Sequence, residues 1–222
     1  MYKCILFDMD GTLVNSHEGI YHAYQAAFAA VKRTFPGETF VRNAIGAPLP
    51  QAFAKLAKLT VPETKRAVKA YREYYQRKGK DEAYVYPEIQ ETLRLLKDNG
   101  CFLAVATLKR ESFAVEMLER LELLPRMDVV CGADENDSFT KADLIRMGMK
   151  KAGVGEKETL LVGDTHYDAR GAGETGVDFL AVTYGFGFRT TREAKEAGAR
   201  WTARSAAEIL PAALKTEPVY TE

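Results

Sequence analysis

The sequence has no long hydrophobic run and no excess of charge of one sign. No apolar run approaches the roughly 18 residues that suggest a membrane-spanning helix, and acidic residues interrupt the first residues where a signal peptide would have its apolar segment. The 31 basic residues balance the 31 acidic residues, so no overall field favours nucleic acid or an anionic membrane as a partner. We therefore expect a cytoplasmic protein without nucleic-acid or membrane partners, as a monomer or, alternatively, a dimer.

Cysteine is also scarce. The three cysteines, Cys4, Cys101 and Cys131, lie in or beside apolar runs and have no metal-ligand spacing. This predicts buried free thiols, as in proteins of a reducing compartment. The composition is ordinary for a globular protein, with 46% hydrophobic and 28% charged residues, and 222 residues suffice for a core with a smaller inserted domain.

The hydrophobic periodicity divides the chain into two parts. Residues 16–83 have apolar spacings of three and four, which predict helices and no convincing strand. Within them, Tyr71 and Tyr75 form a stripe that favours a core over a nucleobase platform. From Tyr84 on, strands and helices alternate. The predicted strands lie at residues 3–8, 102–107, 128–131, 159–163 and 178–182.

This alternation predicts an α/β fold, with a doubly wound parallel sheet and right-handed crossovers. The sheet and its helices would comprise residues 1–15 and 84–222, and residues 16–83 would form an inserted small α-helical subdomain. A short helix is predicted around Arg170 to Thr175, after the fourth strand. An amphipathic helix is predicted near Ala206–Leu214, followed by a polar end that we expect to fray.

Two acidic residues follow the first predicted strand. The apolar run Cys4-Ile5-Leu6-Phe7 continues into Asp8-Met9-Asp10-Gly11-Thr12. Residues i and i+2 of a strand share one face, so Asp8 and Asp10 point to the same place if the strand geometry continues. Two carboxylates this close indicate a bound cation or one raised pKa.

Polar side chains also follow other predicted strands. Thr107 ends the second strand, and Asp164 follows the fourth strand with Asp168 four residues on. Lys141 opens the helix after the third strand, in a segment that resembles a capping box. We expect these residues at the carboxyl edge of one sheet, where α/β folds bind ligands. Asp168 has a second interpretation, as a cap of the helix that follows it.

This set of residues suits phosphoryl chemistry. Carboxylates are ligands for Mg²⁺, and a lysine at a helix start suits a phosphate group. Asp8 can attack phosphorus once Mg²⁺ screens the incoming phosphate. Asp10, if it is protonated, can donate a proton to the leaving oxygen.

In these motifs the sequence resembles the haloacid dehalogenase-like phosphohydrolases. Four motifs of that superfamily match in order and spacing: Asp8-Met9-Asp10-Gly11-Thr12, Thr107, Lys141 and Gly163-Asp164-Thr165-His166-Tyr167-Asp168. The resemblance implies that residues 1–15 and 84–222 form a Rossmann-like catalytic core and that residues 16–83 form a small helical cap. The cap is expected to move as a lid, with hinges near residues 14–16 and 83–87.

The resemblance also implies a role for each residue. Asp8 would form an aspartyl-phosphate, and Asp10 would be the general acid and base. Mg²⁺ would bind to Asp8, to the carbonyl of Asp10 and to Asp164, while Asp168 would support Lys141 or a metal-bound water. The residues implied to bind the phosphoryl group are Thr107, Leu108, Lys141 and Gly11.

Softer matches point to the phosphoglycolate phosphatase and bacterial 5′-nucleotidase branch. They are Ile45-Gly46-Ala47-Pro48-Leu49, Tyr86-Pro87, Val105-Ala106-Thr107-Leu108-Lys109 and Tyr184-Gly185-Phe186-Gly187. The chain departs from that branch at Asn15, where many relatives have aspartate, and at Leu108, where the branch often has serine. The function implied is an Mg²⁺-dependent phosphatase for a small phosphorylated metabolite, such as phosphoglycolate or a nucleoside 5′-monophosphate.

Other activities on this fold match the sequence less well. Dehalogenases and phosphonate hydrolases of the superfamily lack the second aspartate, so Asp10 argues against both. The β-phosphoglucomutase relatives have a histidine where this chain has Ile20. Inorganic pyrophosphatase activity, β-phosphoglucomutase-like phosphoryl transfer and non-catalytic phosphate binding remain as alternatives. Residues near Arg42 and Gly46 are expected to select the substrate.

Overall fold

The computed structural model describes residues 1–216, and the chain divides into two compact units. The α/β unit comprises Met1–Asn15 and the chain from Val85 onward, and the helical unit comprises Ser16–Tyr84. The polar end that we expected to fray lies, from residue 217 on, outside the described residues. No helix within residues 1–216 is both long enough and apolar enough to cross a membrane.

A parallel sheet of six strands forms the centre of the α/β unit. Its strands are β1 (Cys4–Phe7), β4 (Phe102–Arg110), β5 (Val129–Ala133), β6 (Thr159–Gly163), β7 (Asp178–Val182) and β8 (Trp201–Ala203). They are arranged in the order β5-β4-β1-β6-β7-β8, so that β1 lies between β4 and β6. Two short strands, β2 (Val14–Asn15) and β3 (Tyr84–Val85), form a separate sheet. The predicted parallel α/β fold is confirmed.

Both units contain helices. Those of the helical unit are α1 (His17–Ala30), α2 (Glu38–Ala44), α3 (Leu49–Gln51) and α4 (Val61–Arg77), with a π-helical turn at Ala52–Leu56 and a 3₁₀ turn at Gly79–Asp81. Those of the α/β unit are α5 (Ile89–Asp98), α6 (Glu111–Arg120), α7 (Lys141–Ala152), α8 (His166–Thr175), α9 (Thr191–Glu196) and α10 (Ile209–Leu214), with 3₁₀ turns at Leu124–Arg126, Glu156–Glu158 and Ala206–Glu208.

Strand β1 is covered on both faces. All four of its residues are fully buried, as expected for the central strand of a parallel sheet between two helix layers. On one face, Cys4 and Leu6 belong to a core cluster that includes Leu144 and Ile145 of α7. This double burial fixes the carboxyl end of β1, from which the loop with the two aspartates begins.

Three elements differ from the sequence-based prediction. Strand β8 was not predicted, because its three residues are shorter than a recognisable apolar run. Strand β4 continues to Arg110, three residues past its predicted end, because its last residues are polar. Helix α8 begins at His166 rather than near Arg170, since its first turn is polar and is started by a capping box between Thr165 and Asp168. The three cysteines are free and buried, as predicted.

Aromatic side chains form the core of the helical unit. The ring of Tyr24 on α1 lies 5.2 Å from Phe40, 5.4 Å from Phe53 and 4.8 Å from Tyr71, measured between centroids. Tyr71 and Tyr75 of α4 are both buried and their rings stack at 5.9 Å. The interpretation of this stripe as core is therefore confirmed.

Helix α1 approaches the 3₁₀ turn Gly79–Asp81 at two glycines of the helical unit. A Cβ atom on Gly19 would lie 2.0 Å from the carbonyl oxygen of Gly79, and a Cβ atom on Gly79 would lie 3.0 Å from the carbonyl oxygen of Gly19. At Gly19 the obstacle is backbone, and at Gly79 the Tyr75 ring also lies 2.9 Å from the added atom. A side chain at Gly19 therefore requires the two segments to separate.

We predict that Gly19→Ala lowers the free energy of unfolding by about 1–3 kcal/mol, because the added methyl group overpacks this contact. The matched control is Gly173→Ala in α8, where a Cβ atom would meet no atom within 4 Å. That change should raise stability by about 0.5–1 kcal/mol through helix propensity. Thermal denaturation of both variants gives the comparison. Equal stabilisation by both substitutions would show that the close approach of Gly19 and Gly79 is not as tight as described.

Candidate active site

The candidate site lies at the carboxyl edge of the sheet, where β1 lies between β4 and β6. Strand β1 ends at Phe7, and Asp10 forms only an isolated bridge with Val14. The strand geometry therefore does not continue from Asp8 to Asp10, and the condition for the two side chains to share a strand face is not met. The two carboxylates instead contact different lysines: Asp8 contacts Lys141, and Asp10 contacts Lys109.

Lys141 is a buried cation held by three oxygen atoms. Its Nζ atom lies 2.9 Å from Asp8 Oδ1 and 2.7 Å from Asp168 Oδ1, and it donates a hydrogen bond of 2.8 Å to the carbonyl oxygen of Ala106. The Ala106 carbonyl is thus a hydrogen-bond acceptor for the ammonium group, and the two carboxylates are its ion-pair partners. Burial alone would lower the pKa of Lys141, but the charges of Asp168 and Asp8 outweigh burial and raise it.

The sequence around Lys141 fixes its position. Lys141 is the first residue of α7, and Thr140 caps this helix in a reciprocal capping box with Asp143. The helix ends at Gly153 in the left-handed conformation, which glycine adopts without strain. The predicted capping box is thus confirmed, and it holds the start of α7 at the sheet edge.

Asp168 both caps the helix that follows it and contacts Lys141. Its Oδ2 atom accepts hydrogen bonds from the backbone N–H of Thr165, at 2.9 Å, and from the Thr165 hydroxyl, at 2.6 Å, which caps helix α8. Its Oδ1 atom contacts Lys141. One fully buried carboxylate therefore fixes the start of α8 and orients the ammonium group beside Asp8.

Asp164 is fully buried in a loop of close backbone contacts. Its Oδ2 atom accepts hydrogen bonds from the backbone N–H groups of Phe186, at 2.8 Å, and Gly187, at 3.2 Å. A Cβ atom would lie 2.5 Å from this same oxygen at Gly185 and 2.3 Å from it at Gly11, where φ is +87°. Only glycine fits at these two positions. The Tyr184–Gly187 segment, noted only as a soft family match, therefore holds Asp164 in place.

Three buried carboxylates lie close together, and two of them, Asp8 and Asp168, contact Lys141. Ligand atoms of Asp8, Asp164 and Asp168 all lie within 4.8 Å of one another. Burial raises the pKa of Asp8 to about 6 against the lowering effect of Lys141, and burial together with the charges of Asp168 and Asp8 raises the pKa of Asp164 well above its ordinary value. Negative charge is thus in excess here, and a hard divalent cation would neutralise it.

The donor set fits such a cation best at Asp8 and Asp164. Asp168 Oδ2 accepts the hydrogen bonds from Thr165, and Asp168 Oδ1 accepts no hydrogen bond within the described residues but forms an ion pair with Lys141 at 2.7 Å. This ion pair favours a supporting role for Asp168 beside Lys141. The side chain of Asp10 is not part of the carboxylate cluster. The metal-ligand role implied for Asp10 concerns its main-chain carbonyl.

The remaining residues with implied roles lie on β4 and on the loop after β1. Thr107 is buried, and its hydroxyl accepts a hydrogen bond of 3.2 Å from the N–H of Lys109. Leu108 is half-buried beside it. The carbonyl of Ala106, directly before Thr107, accepts the Lys141 hydrogen bond, which places the end of β4 beside the carboxylate cluster.

Sequence reasoning missed Lys109 as a member of the site. Its Nζ atom lies 2.9 Å from Asp10 Oδ2, and the two side chains are only 7% and 14% exposed. The sequence offered one signal, a lysine two residues after Thr107 at the end of a buried strand. The direction of the Lys109 side chain depends on a shift in the pairing of β4 with β5, which the sequence does not reveal.

We predict that Asp164→Asn stabilises the protein in the presence of a chelator. The asparagine keeps an oxygen acceptor for the Phe186 and Gly187 N–H groups but removes a buried charge, for a gain of about 1–3 kcal/mol at neutral pH. A raised pKa means that the folded state binds the proton more tightly, so wild-type stability falls as pH rises through that pKa. The difference should therefore shrink as the pH is lowered and Asp164 becomes protonated.

Denaturant unfolding at pH 5 and pH 8 measures this difference. The exposed Asp98 provides the control, because Asp98→Asn removes one charge from the surface and should change stability by less than about 0.5 kcal/mol. Loss of stability in Asp164→Asn at pH 8 would mean that the Asp164 charge is already compensated by its surroundings.

Comparison with known proteins agrees with this site. A family model described as haloacid dehalogenase-like hydrolase matches residues 5–182. The chain is 32% identical over 218 residues to a "Probable phosphatase IndB" of Dickeya dadantii, covering 96% of this chain and 94% of that protein. It is 34% identical over 187 residues to a 5′-nucleotidase of Pseudomonas aeruginosa, covering 84% and 85%.

A solved structure also resembles this chain over most of its length. The crystal structure of a predicted phosphatase from Clostridium acetobutylicum has a TM-score of 0.91 and 31% sequence identity to this chain, and covers 97% of this chain and 99% of its own. The matched residues 5–182 include all four motifs at the sheet edge. The chain therefore belongs to the haloacid dehalogenase-like hydrolase family.

Proposed function

We propose that the protein is an Mg²⁺-dependent phosphatase that hydrolyses a small phosphomonoester through an aspartyl-phosphate on Asp8. One observation carries the proposal: the nearly buried Asp8 carboxylate lies beside a buried ammonium group and in a cluster with Asp164 and Asp168. A nucleophilic carboxylate needs nearby positive charge to approach an anionic phosphate. Lys141 provides one such charge, and the excess of carboxylates provides a place for a second.

Asp8 and Asp164 are the side chains that would hold Mg²⁺, together with the main-chain carbonyl of Asp10. When bound, Mg²⁺ supplies positive charge that screens the phosphate from the carboxylates and keeps Asp8 ionised. The Phe186 and Gly187 N–H groups hold Asp164 in one orientation, as the supporting partners of metal ligands do.

In the first step, a carboxylate oxygen of Asp8 attacks phosphorus. The bond between phosphorus and the ester oxygen breaks, and this oxygen leaves with the bonding electron pair. Asp10, which carries a proton at this stage, transfers the proton to the leaving oxygen. The products are an alcohol and the aspartyl-phosphate, so atoms and charge balance.

In the second step, the ionised Asp10 removes a proton from a water molecule, whose oxygen attacks phosphorus. The bond between phosphorus and the Asp8 oxygen breaks, which releases inorganic phosphate and restores both Asp8 and protonated Asp10. Lys141 keeps its positive charge beside Asp8 throughout, since the charges of Asp168 and Asp8 raise its pKa.

The phosphoryl group would also contact Thr107, Leu108, Lys141 and Gly11. Lys141 already has three oxygen partners, so it binds a phosphate oxygen by sharing or exchanging one of them. Thr107 contributes a hydroxyl. Backbone N–H groups in the loop after β1 and at the end of β4 are the other donors that suit an anion.

The substrate class is a small phosphomonoester of the phosphoglycolate or nucleoside 5′-monophosphate type. The similarity to a 5′-nucleotidase over 84% of the chain and the family motifs support this class. The site has the acid for the leaving oxygen, Asp10, that dehalogenase and phosphonatase relatives lack. Inorganic pyrophosphate, sugar phosphates and non-catalytic phosphate binding are the competing possibilities.

We predict that the purified protein releases phosphate from p-nitrophenyl phosphate and from members of a phosphomonoester panel when Mg²⁺ is added, and that a chelator abolishes this release. Asp8→Asn should lower the rate by at least about 10³-fold, because loss of a covalent nucleophile removes most of kcat. The exposed Asp98→Asn variant should retain wild-type activity.

Other results would contradict the proposal in different ways. Activity retained in Asp8→Asn would exclude the aspartyl-phosphate. Binding of phosphomonoesters without turnover would favour a phosphate-binding protein. Turnover of pyrophosphate alone would assign the protein to pyrophosphatases, and interconversion of sugar phosphates without phosphate release would indicate a mutase.

A further inference from the structure

We propose that Lys109 is a positioning residue for Asp10 and fixes the carboxyl group that donates the proton to the leaving oxygen. This inference rests on the proposed function, because it concerns the general acid of the same site. The observation that carries it is the ion pair between Lys109 Nζ and Asp10 Oδ2, 2.9 Å apart, with both side chains nearly buried.

The burial of this pair distinguishes it from ordinary surface ion pairs. Lys97 and Asp128, for example, form an ion pair of 2.8 Å near the opposite edge of the sheet, with side chains that are 36% and 29% exposed. Exposed pairs contribute little and leave their side chains mobile. A pair withdrawn from water is less free to rearrange, because separating its partners leaves an uncompensated buried charge.

An irregularity of β4 directs Lys109 toward Asp10. Thr107 pairs with Gly132 of β5, but the next pair is Arg110 with Ala133. Three steps along β4 therefore match one step along β5, and Leu108 and Lys109 form a bulge. Bulges re-aim side chains and occur often beside active sites.

The local contacts stabilise this bulge. The Thr107 hydroxyl accepts a hydrogen bond from the Lys109 N–H, and the Glu111 carboxylate accepts one from the Gly132 N–H. A Cβ atom on Gly132 would lie 2.4 Å from the Cα of Glu111, so the bulge requires glycine opposite it. Lys109 is therefore held at its base as well as at its ammonium group.

A fixed position matters for Asp10 because it lies in a loop after the end of β1. Proton transfer requires the acid within hydrogen-bond reach of the leaving oxygen. In our proposal Lys109 holds Oδ2, and the transferred proton is carried on the other oxygen, Oδ1. The proton then passes to the leaving oxygen as the bond from that oxygen to phosphorus breaks, and Asp10 becomes an ionised carboxylate paired with Lys109.

The dependence of kcat/KM on the basicity of the leaving group shows whether Lys109 positions Asp10. A stable leaving anion departs without a proton, whereas a more basic one depends on the acid. p-Nitrophenyl phosphate and phenyl phosphate have the same phosphoryl group and similar shape, but phenolate is the more basic leaving group. The value of kcat/KM covers only the steps up to bond cleavage at phosphorus, so its ratio for the two substrates isolates the role of Asp10.

The test compares Lys109→Met, Lys109→Arg and Lys97→Met with the wild type. Lys97→Met is the matched control, since it also removes the lysine of a Lys–Asp pair. We expect Lys109→Met to lower kcat/KM for phenyl phosphate at least about tenfold more than for p-nitrophenyl phosphate. Lys109→Arg, which keeps the charge, should keep the ratio within about threefold of the wild type, and Lys97→Met should leave it unchanged.

The outcomes separate this inference from the proposed function. If the wild type hydrolyses neither substrate with Mg²⁺, the proposed function fails and the inference with it. If the wild type is active but Lys109→Met lowers both kcat/KM values by the same factor, or lowers neither value, only the inference is overturned. The inference is also overturned if Lys109→Arg changes the ratio of the two kcat/KM values as much as Lys109→Met does.

Circular dichroism establishes that each variant is folded, and Lys109→Gln replaces Lys109→Met if the methionine variant does not fold. If neither neutral variant folds, Lys109 acts through stability and the proposal is overturned.

Discussion

A buried ammonium group between two carboxylates determines the arrangement of the site. Lys141 connects Asp8 at the end of β1, Asp168 in the first turn of α8 and the backbone of β4. Each of these groups would be costly to bury alone, because an isolated charge loses its hydration without compensation. Together they surround the lysine ammonium group with two ion pairs and one hydrogen bond, and three elements of the sheet edge meet at one atom.

The same cluster has more negative charge than Lys141 can balance. Asp164 is fully buried, and its hydrogen bonds come from neutral groups, the backbone N–H groups of Phe186 and Gly187 and the Thr12 hydroxyl, rather than from a cation. Burial and the neighbouring carboxylates raise its pKa. Functional sites often retain such unfavourable charge because the ligand removes it. In our account a divalent cation and an anionic phosphate complete a site that the chain leaves with a charge imbalance.

Much of the site could be predicted from local sequence signals. Asp8 and Asp164 follow buried apolar runs, and Lys141 follows a capping residue, so each could be placed at the sheet edge without tertiary information. Lys109 could not, because its direction depends on a bulge that is defined by the pairing of β4 with β5. The need for glycine at positions 185 and 187 could not be predicted either, because it arises from the close approach of Asp164. Strand β8 was missed because three residues carry too little periodicity.

The covalent step on Asp8 is the central claim, and chemical trapping tests it most directly. The protein is mixed with p-nitrophenyl phosphate and Mg²⁺, quenched rapidly in acid and treated with borohydride, which reduces an aspartyl-phosphate to homoserine. Peptide mass spectrometry should then find homoserine at position 8, and only in the sample that received substrate. Intact aspartate at position 8 during active turnover, or homoserine at another aspartate, would contradict the mechanism.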